Sequence, residues 1–146
     1  MSLIPYLYAS FADYHNKGIP PFRPLVMDYT TDKKVRSISN QFMIGQNIMA
    51  APTTMDSSTR TVYFPEGVGY DYYTKKQYTG GQYYSIDVAT DKLPIFVKSG
   101  AIIPVAGPVE FIDENTVFDI TCKVFGSNPS SFTLLEDDGI TFDFEK

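Results

Sequence analysis

The period of hydrophobic and polar positions changes near residue 20 of the chain. Before it, apolar side chains recur at three- and four-residue spacing, at Leu3, Leu7, Phe11 and Tyr14. This spacing is typical of one face of an α-helix, and Gly18 followed by a Pro20-Pro21 pair predicts where that helix ends. We therefore expect a helix over residues 3–17, with an apolar stripe that needs a partner.

After residue 20 the chain breaks into short runs rich in aromatic and β-branched residues, separated by turn residues. The predicted strands are 22–29, 61–64, 70–73, 77–78, 83–88, 93–97, 101–105, 117–124, 132–135 and 141–144. Segment 30–35 is predicted as a charged turn or short helix, and segment 41–52 consists mainly of apolar and small side chains. Such spacing is typical of an antiparallel sandwich or barrel. The predicted fold is mainly β, an antiparallel β-sandwich with an N-terminal α-helix.

Two neighbouring runs, 93–97 and 101–105, are the most apolar pair, and Lys98-Ser99-Gly100 joins them. We expect the inner layer of the sandwich to include Ile95, Val97, Ile102 and Val105. Asp138-Gly139 between the last two runs predicts a hairpin.

Composition narrows the possible functions. The chain has 146 residues, about one domain, and carries a formal net charge of −5. An acidic chain offers no basic surface for phosphates, so nucleic acid is not an expected partner. The apolar runs are all shorter than a membrane span, so a membrane is not expected either. Neither the charge nor the N-terminus indicates a cellular compartment.

Candidate chemistry is sparse. The single His15 and single Cys122 exclude an intrachain disulfide and leave too few ligands for structural zinc. Cys122 is expected to be a buried small side chain, and His15 to lie near the helix C-terminus. The acidic run 136–138 lacks the spacing of a calcium loop. The sequence contains no G-x-S-x-G motif and no glycine-rich phosphate loop, so we predict no catalytic residue, no metal site and no cofactor.

Six tyrosines are the remaining candidates for a binding surface: Tyr70, Tyr72, Tyr73, Tyr78, Tyr83 and Tyr84. They could stack on sugar rings, or they could form the amphipathic layer of the sandwich. The structural interpretation is favoured, and the sugar-binding one stays open.

A series of motifs resembles the end of the catalytic region and the following β-domains of glycoside hydrolase family 31. The matching segments are Leu3-Ile4-Pro5-Tyr6-Leu7-Tyr8, Gly18 to Leu25, Asn40 to Gly45 with Ala50-Ala51-Pro52, Val62 to Gly67, Tyr70 to Thr74, Leu93 to Val97 with Gly100 to Pro104, and Phe132 to Gly139. They follow the family's order over nearly the whole chain. Four positions depart from the pattern: Gly69 stands where the family commonly has Trp, Lys75 where it has Gly, Asn40 where it has Asp, and Leu135 where it often has Tyr.

The resemblance implies a division of the chain into three parts. Residues 1–36 would be the last helix and strand of a truncated (β/α)8 catalytic barrel, residues 37–107 the proximal C-terminal β-domain, and residues 108–146 the start of a distal one. The family's two catalytic aspartates, a nucleophile and an acid/base, belong to motifs upstream of the first helix. The chain is then expected to be a non-catalytic part of a retaining enzyme that hydrolyses terminal α-linked glucosides.

Three further expectations follow from the resemblance. Asp28 to Asp32, just after the last barrel strand, would be the only residues placed to approach an α-glucoside or oligosaccharide substrate, although we do not assign them as site residues. The helix stripe, left without its barrel, could pair two copies of the chain into a homodimer. The alternative function is a self-standing carbohydrate-binding β-sandwich that uses its surface tyrosines.

Overall fold

The computed structural model describes residues 3–53, 58–88, 92–107 and 120–126. Helix α1 spans Ile4–Lys17. The strands are β1 Phe22–Pro24, β2 Phe42–Ile44, β3 Ile48–Ala50, β4 Thr59–Phe64, β5 Val68–Asp71, β6 Gln77–Thr79, β7 Gln82–Asp87, β8 Ile95–Lys98, β9 Ile102–Ala106 and β10 Ile120–Val124. Two short 3₁₀ helices, Leu25–Met27 and Lys33–Ser37, lie between β1 and β2. The predicted hairpin at residues 132–144 lies outside the described residues.

Helix α1 has the boundaries that its sequence signals predict. Pro5 sits in the first turn, where its missing N–H has no intrahelical partner to lose. Gly18 adopts a φ of 72° and donates its N–H to the carbonyl of Tyr14, which closes the last turn. No helix in the described ranges is long and apolar enough to cross a membrane.

The strands pair antiparallel throughout the described residues. Six form one sheet in the order β1-β2-β3-β8-β5-β6, while β4 pairs with β7 and β9 pairs with β10. The prediction of a mainly β, antiparallel sandwich-like fold with an N-terminal helix is confirmed.

The central sheet has a packed layer on each face. On β8, Ile95 and Val97 join one buried cluster, and Phe96 between them joins the other. We call the face of Ile95 and Val97 the helix face, because Tyr6 of α1 and Ile103 of β9 complete its cluster. We call the opposite face the ring face, because Phe64 of β4 and the neighbouring aromatic side chains complete it.

Strands β8 and β9 are consecutive, but they do not pair with each other. The β8 strand bonds to β3 and β5, whereas β9 bonds to β10 in a separate layer. Gly100, with a φ of 81°, lies in the turn where the chain passes from one layer to the other.

The predicted inner layer is correct except for Ile102. Ile95, Val97 and Val105 are buried, but Ile102 is only half-buried, and Ile103 is fully buried instead. Successive strand residues point to opposite sides, so Val105 shares a face with Ile103 and cannot share one with Ile102. The prediction of a buried Cys122 is wrong, since this side chain is exposed on β10.

The segment after the helix departs from the prediction of a strand over 22–29. The strand stops at Pro24 and the chain turns into 3₁₀ geometry from Leu25. Pro24 has no N–H to give to a ladder, and β1 accordingly lies at the edge of its sheet. β1 pairs antiparallel with β2, so in this structure it belongs to the central sheet, whereas the strands of a (β/α)8 barrel run parallel.

A buried amide ties the central sheet to the β4–β7 layer. Gln41 donates its Nε2–H to the carbonyl of Tyr63 at 2.8 Å, and its Oε1 accepts the N–H of Tyr63 at 3.0 Å. Both bonds lie in the interior, where a missing partner costs about 1–3 kcal/mol. Gln41 therefore fixes how the two layers sit on each other.

Candidate functional site

The segment from Asp28 to Asp32 is held by contacts within the chain. Arg23 is buried, and its Nε lies 2.9 and 3.0 Å from the two carboxylate oxygens of Asp28. The same guanidinium donates from Nη1 to the carbonyl of Pro20 at 3.0 Å. Asp28 thus compensates the buried positive charge of Arg23. This ion pair restricts the movement of the Asp28 side chain.

Asp32, at the other end of this segment, is equally engaged. Its carboxylate accepts the N–H of Lys34 at 3.0 Å, which caps the second 3₁₀ helix, and it accepts the hydroxyl proton of Tyr63. Burial and this hydrogen bond to the carboxylate raise the pKa of Tyr63 to about 12. The two carboxylates of the segment therefore have structural roles, and the segment contributes no visible catalytic pair.

Other carboxylates in the described ranges also bind the chain's own donors. Asp13 forms an ion pair with Lys17 at 3.0 Å, and Asp71 accepts the N–H groups of Tyr73 and Thr74 in a turn. Within the described ranges, no group of three or more His, Cys, Asp or Glu side chains could hold a metal ion.

The six tyrosines do not form one exposed platform. Tyr72 and Tyr78 are buried, and Tyr70 and Tyr84 are half-buried. Only Tyr73 and Tyr83 are exposed. Tyr73 packs on Tyr72, of the helix face, with ring centroids 5.2 Å apart, whereas Tyr83 packs on Tyr63, of the ring face, at 4.9 Å. Four of the six rings are thus buried or half-buried and the two exposed ones pack on different clusters, which favours the structural interpretation.

Helix α1 docks on the sheet through Tyr6, Ala9 and Ser10, all of which are buried. The Tyr6 hydroxyl donates to the carbonyl of Ile44 at 2.6 Å and accepts the N–H of Asn47 at 3.0 Å. Burial raises the pKa of this phenol to about 12.

Gly45, in the turn under the helix, shows how close this approach is. A Cβ at Gly45 would lie 2.5 Å from both the Tyr6 hydroxyl and the Ser10 Oγ, and the φ of 62° also favours glycine. Sequence reasoning missed this contact. The available signal was a single glycine within the apolar run 41–52.

Only part of the predicted apolar stripe of α1 packs against the core. Leu3 and Leu7 pack at the margin of the core, but Phe11 and Tyr14 are 50% and 54% exposed. Three aromatic side chains, Tyr8, Phe11 and Tyr14, together with Phe22 of β1, form a surface that we call the outer aromatic patch. The patch continues from α1 to β1, because the ring centroids of Phe11 and Phe22 are 6.4 Å apart.

A cleft opens on the ring face of the central sheet, beside Gly69 of β5. Its floor is apolar and is formed by Met43, Met49, Phe64 and Phe96, and its rim is polar and is formed by Tyr29, Asn47, Glu66 and Lys98. The cleft has a volume of about 40 Å³. It is too small to enclose a whole sugar ring.

Comparison with known proteins identifies the family. Residues 18–103 match the model of the glycosyl hydrolase family 31 C-terminal domain. The chain belongs to glycoside hydrolase family 31. The segments that resembled this family in the sequence therefore identified it correctly.

Family 31 relatives match nearly the whole chain. An α-glucosidase 2 from Bacillus thermoamyloliquefaciens is 37% identical over 98% of this chain, and an α-xylosidase from Saccharolobus solfataricus is 34% identical over 99% of it. A solved structure of a family 31 dextranase from Flavobacterium johnsoniae, complexed with isomaltotriose, covers 99% of the chain with a TM-score of 0.90 at 35% identity.

The chain spans only a small part of these proteins. It corresponds to 18% of the α-glucosidase, 20% of the α-xylosidase and 18% of the dextranase chain. The match to the family's C-terminal domain indicates that the chain corresponds to the C-terminal part of these enzymes.

Proposed function

We propose that this family 31 chain is the non-catalytic C-terminal portion of an enzyme that hydrolyses terminal α-linked glucosides with retention. Two aspartates upstream of α1 would carry the chemistry. An α-glucoside or oligosaccharide substrate is supported by relatives named as α-glucosidase and α-xylosidase, and by the dextranase complexed with isomaltotriose. In the proposal, the chain contributes a folded support for the catalytic part.

The observation that carries this proposal is that α1 has apolar residues on two opposite faces. Tyr6 and Ala9 are buried on the sheet, while Tyr8 and Phe11 project about half a helical turn away and are exposed. A helix that is apolar on both sides is stable as a middle layer, covered from both directions. The outer aromatic patch is thus the surface on which the catalytic part would dock.

The proposed division of the chain is the one that the resemblance to family 31 implies. Residues 1–36 would join the module to the catalytic part, residues 37–107 would form the proximal β-domain, and residues 108–146 would begin the distal one. The outer aromatic patch lies entirely in the first of these parts, on α1 and β1.

The first experiment measures hydrolysis by the chain alone. A chromogenic α-glucoside and a chromogenic α-xyloside are incubated for hours with the chain in excess. We expect no release above the buffer rate, because glycosidases need two suitably spaced carboxyl groups, and Asp28 and Asp32 of the segment nearest the proposed substrate are engaged in structural contacts. Turnover that disappears when one acidic residue of this chain is mutated would overturn the non-catalytic assignment.

The second experiment tests the outer aromatic patch by light scattering. Exposed apolar side chains promote association, so we expect the chain to self-associate and the double variant Tyr8→Ser, Phe11→Ser to be more monomeric. A matched control is Leu93→Ser, since Leu93 is 43% exposed elsewhere. A homodimer through α1 is one form that the association could take. A monomeric chain whose α1 amides exchange rapidly would contradict the docking role.

A further inference from the structure

The cleft on the ring face exists because Gly69 has no side chain. Gly69 pairs directly with Lys98 of β8, so the two residues share a face of the sheet. A Cβ at this position would already lie 3.1 Å from the ring of Phe64. Any larger side chain here would have to enter the cleft or displace that ring.

The rim of the cleft gathers groups that can donate and accept hydrogen bonds. Lys98 is half-buried, and its ammonium lies 5.3 Å from the centre of the Tyr29 ring. Burial lowers the pKa of Lys98, and the Arg23 guanidinium acts in the same direction while the Asp28 carboxylate opposes both. The amine is therefore partly stripped of water, and it gains more from a ligand's oxygen than an exposed lysine would.

The sign of the charges indicates the class of ligand. Lys98 is positive and Glu66 on the rim is negative, while the nearby Arg23 is balanced by its ion pair with Asp28. A site with both signs suits a molecule without net charge better than an anion or a cation. The Tyr29 phenol and the Asn47 amide on the same rim each donate and accept hydrogen bonds, which favours a ligand with several hydroxyl groups.

The volume indicates how much of the ligand enters. A cavity needs at least roughly 10–15 Å³ to hold one water molecule, and one water takes up about 30 Å³ in the liquid, so 40 Å³ admits a group of about that size. One hydroxyl group on the edge of a pyranose ring would enter the cleft in place of water. The rest of the ring would lie over the exposed Glu66-Gly67 turn.

We propose that the Gly69 cleft is a secondary, non-catalytic subsite for one edge of a neutral glucoside. The apolar floor would contact the C–H face of the sugar, and Lys98, Glu66, Asn47 and Tyr29 would bind its hydroxyl groups. The choice of a glucoside rests on the proposed function, but the subsite itself does not need hydrolysis by this chain.

The test is a titration of the isotope-labelled chain with isomaltose, followed by amide chemical shifts. We expect saturable shifts around Lys98, Glu66 and Gly69 with a Kd on the order of 10 mM, as suits a shallow site that encloses part of a ligand. Gly69→Trp should fill the cleft and weaken binding at least about tenfold. Glu66→Ala removes an exposed side chain without touching the core, and we expect binding to weaken about threefold to tenfold.

The controls distinguish binding in this cleft from binding elsewhere on the chain. Tyr83→Ala should leave the isomaltose shifts unchanged, whereas a loss of binding there would point to the surface tyrosines. If Gly69→Trp does not fold, Glu66→Ala decides the question alone. Absence of saturable shifts, unchanged binding in Glu66→Ala, or equal shifts with inorganic phosphate would each overturn the subsite. None of these results bears on the light-scattering test of the outer aromatic patch.

Discussion

Both faces of the central sheet carry aliphatic and aromatic side chains, but only one of them gathers its rings into a contacting group beside a cleft. The helix face is mainly aliphatic, with Ile48, Ile95 and Val97 under α1 and β9. The ring face combines aliphatic side chains with a group of rings in mutual contact: Phe64 lies 4.9 Å from Phe96 at 74° and 4.7 Å from Tyr78 at 13° between ring planes. Branched aliphatic groups interlock closely, whereas rings meet edge to face or stacked. The cleft beside Gly69 opens on the ring face.

Two neighbouring residues on β8 lie on opposite faces, so the stability that each face contributes can be compared on a single strand. Val97 is 1% exposed on the helix face, and Phe96 is 2% exposed on the ring face. The two faces therefore receive equally buried side chains one position apart. For an equal volume removed, we expect a truncation on the helix face to lower the free energy of unfolding more, because ring-face partners can relax into the cleft that Phe96 lines.

The largest effect is expected for Val97→Asp. The substitution places an unpaired carboxylate among aliphatic side chains, and we expect it to lower the free energy of unfolding by more than about 4 kcal/mol or to unfold the chain. Urea denaturation followed by circular dichroism measures this. Val124→Asp is the matched control, since Val124 is 50% exposed on β10 and should change stability by less than about 1 kcal/mol. A Val97→Asp chain that melts within a degree or two of the parent would show that this face is not core.

A smaller effect is expected for Phe96→Ala on the ring face. Losing a buried ring costs about 3–5 kcal/mol, and the cleft beside it lets neighbouring rings relax, so we expect about 3 kcal/mol. The same denaturation experiment applies, with Tyr83→Ala as an exposed aromatic control expected to cost less than about 1 kcal/mol. A loss above about 5 kcal/mol would show that the neighbouring rings do not relax into the cleft.

The smallest effect is expected for Tyr6→Phe, which removes only the hydroxyl group under α1. The carbonyl of Ile44 and the N–H of Asn47 would each lose a buried partner, so we expect a loss of about 1–2 kcal/mol. Phe11→Ser is the control on the same helix, and its exposed position should leave stability within about 0.5 kcal/mol.

The raised pKa of Tyr6 also makes the stability of the fold depend on alkaline pH. Its pKa is about 12 in the folded chain, against 10.0 for an ordinary tyrosine. Below pH 10 both states keep the proton, so the contribution is intact. Between pH 10 and 12 the unfolded chain releases it first, and stability falls by up to about 2 kcal/mol for this group. Tyr6→Phe should show a shallower decline than the parent, and parallel curves would contradict this origin.

Local signals predicted the elements with definite stop residues. Gly18 ended α1 where expected, because a left-handed C-terminal residue is a property of the backbone at that position. The strand at 61–64 is the C-terminal part of β4, and that at 83–88 overlaps β7 closely. The ordered motifs were also sufficient to identify family 31. These features depend on residues close together in the chain.

Only the tertiary structure decided which faces meet. The period of α1 predicted a stripe through Phe11 and Tyr14, yet the helix docks through Tyr6, Ala9 and Ser10, because Gly45 lets the phenol reach the turn beneath it. The sequence showed that residues 93–105 are apolar. It did not show that β8 and β9 belong to different layers. The cleft likewise needs Gly69 to lie opposite Lys98. Periodicity fixes which residues share a side of an element, whereas the partner of that side is chosen by close packing between segments distant in sequence.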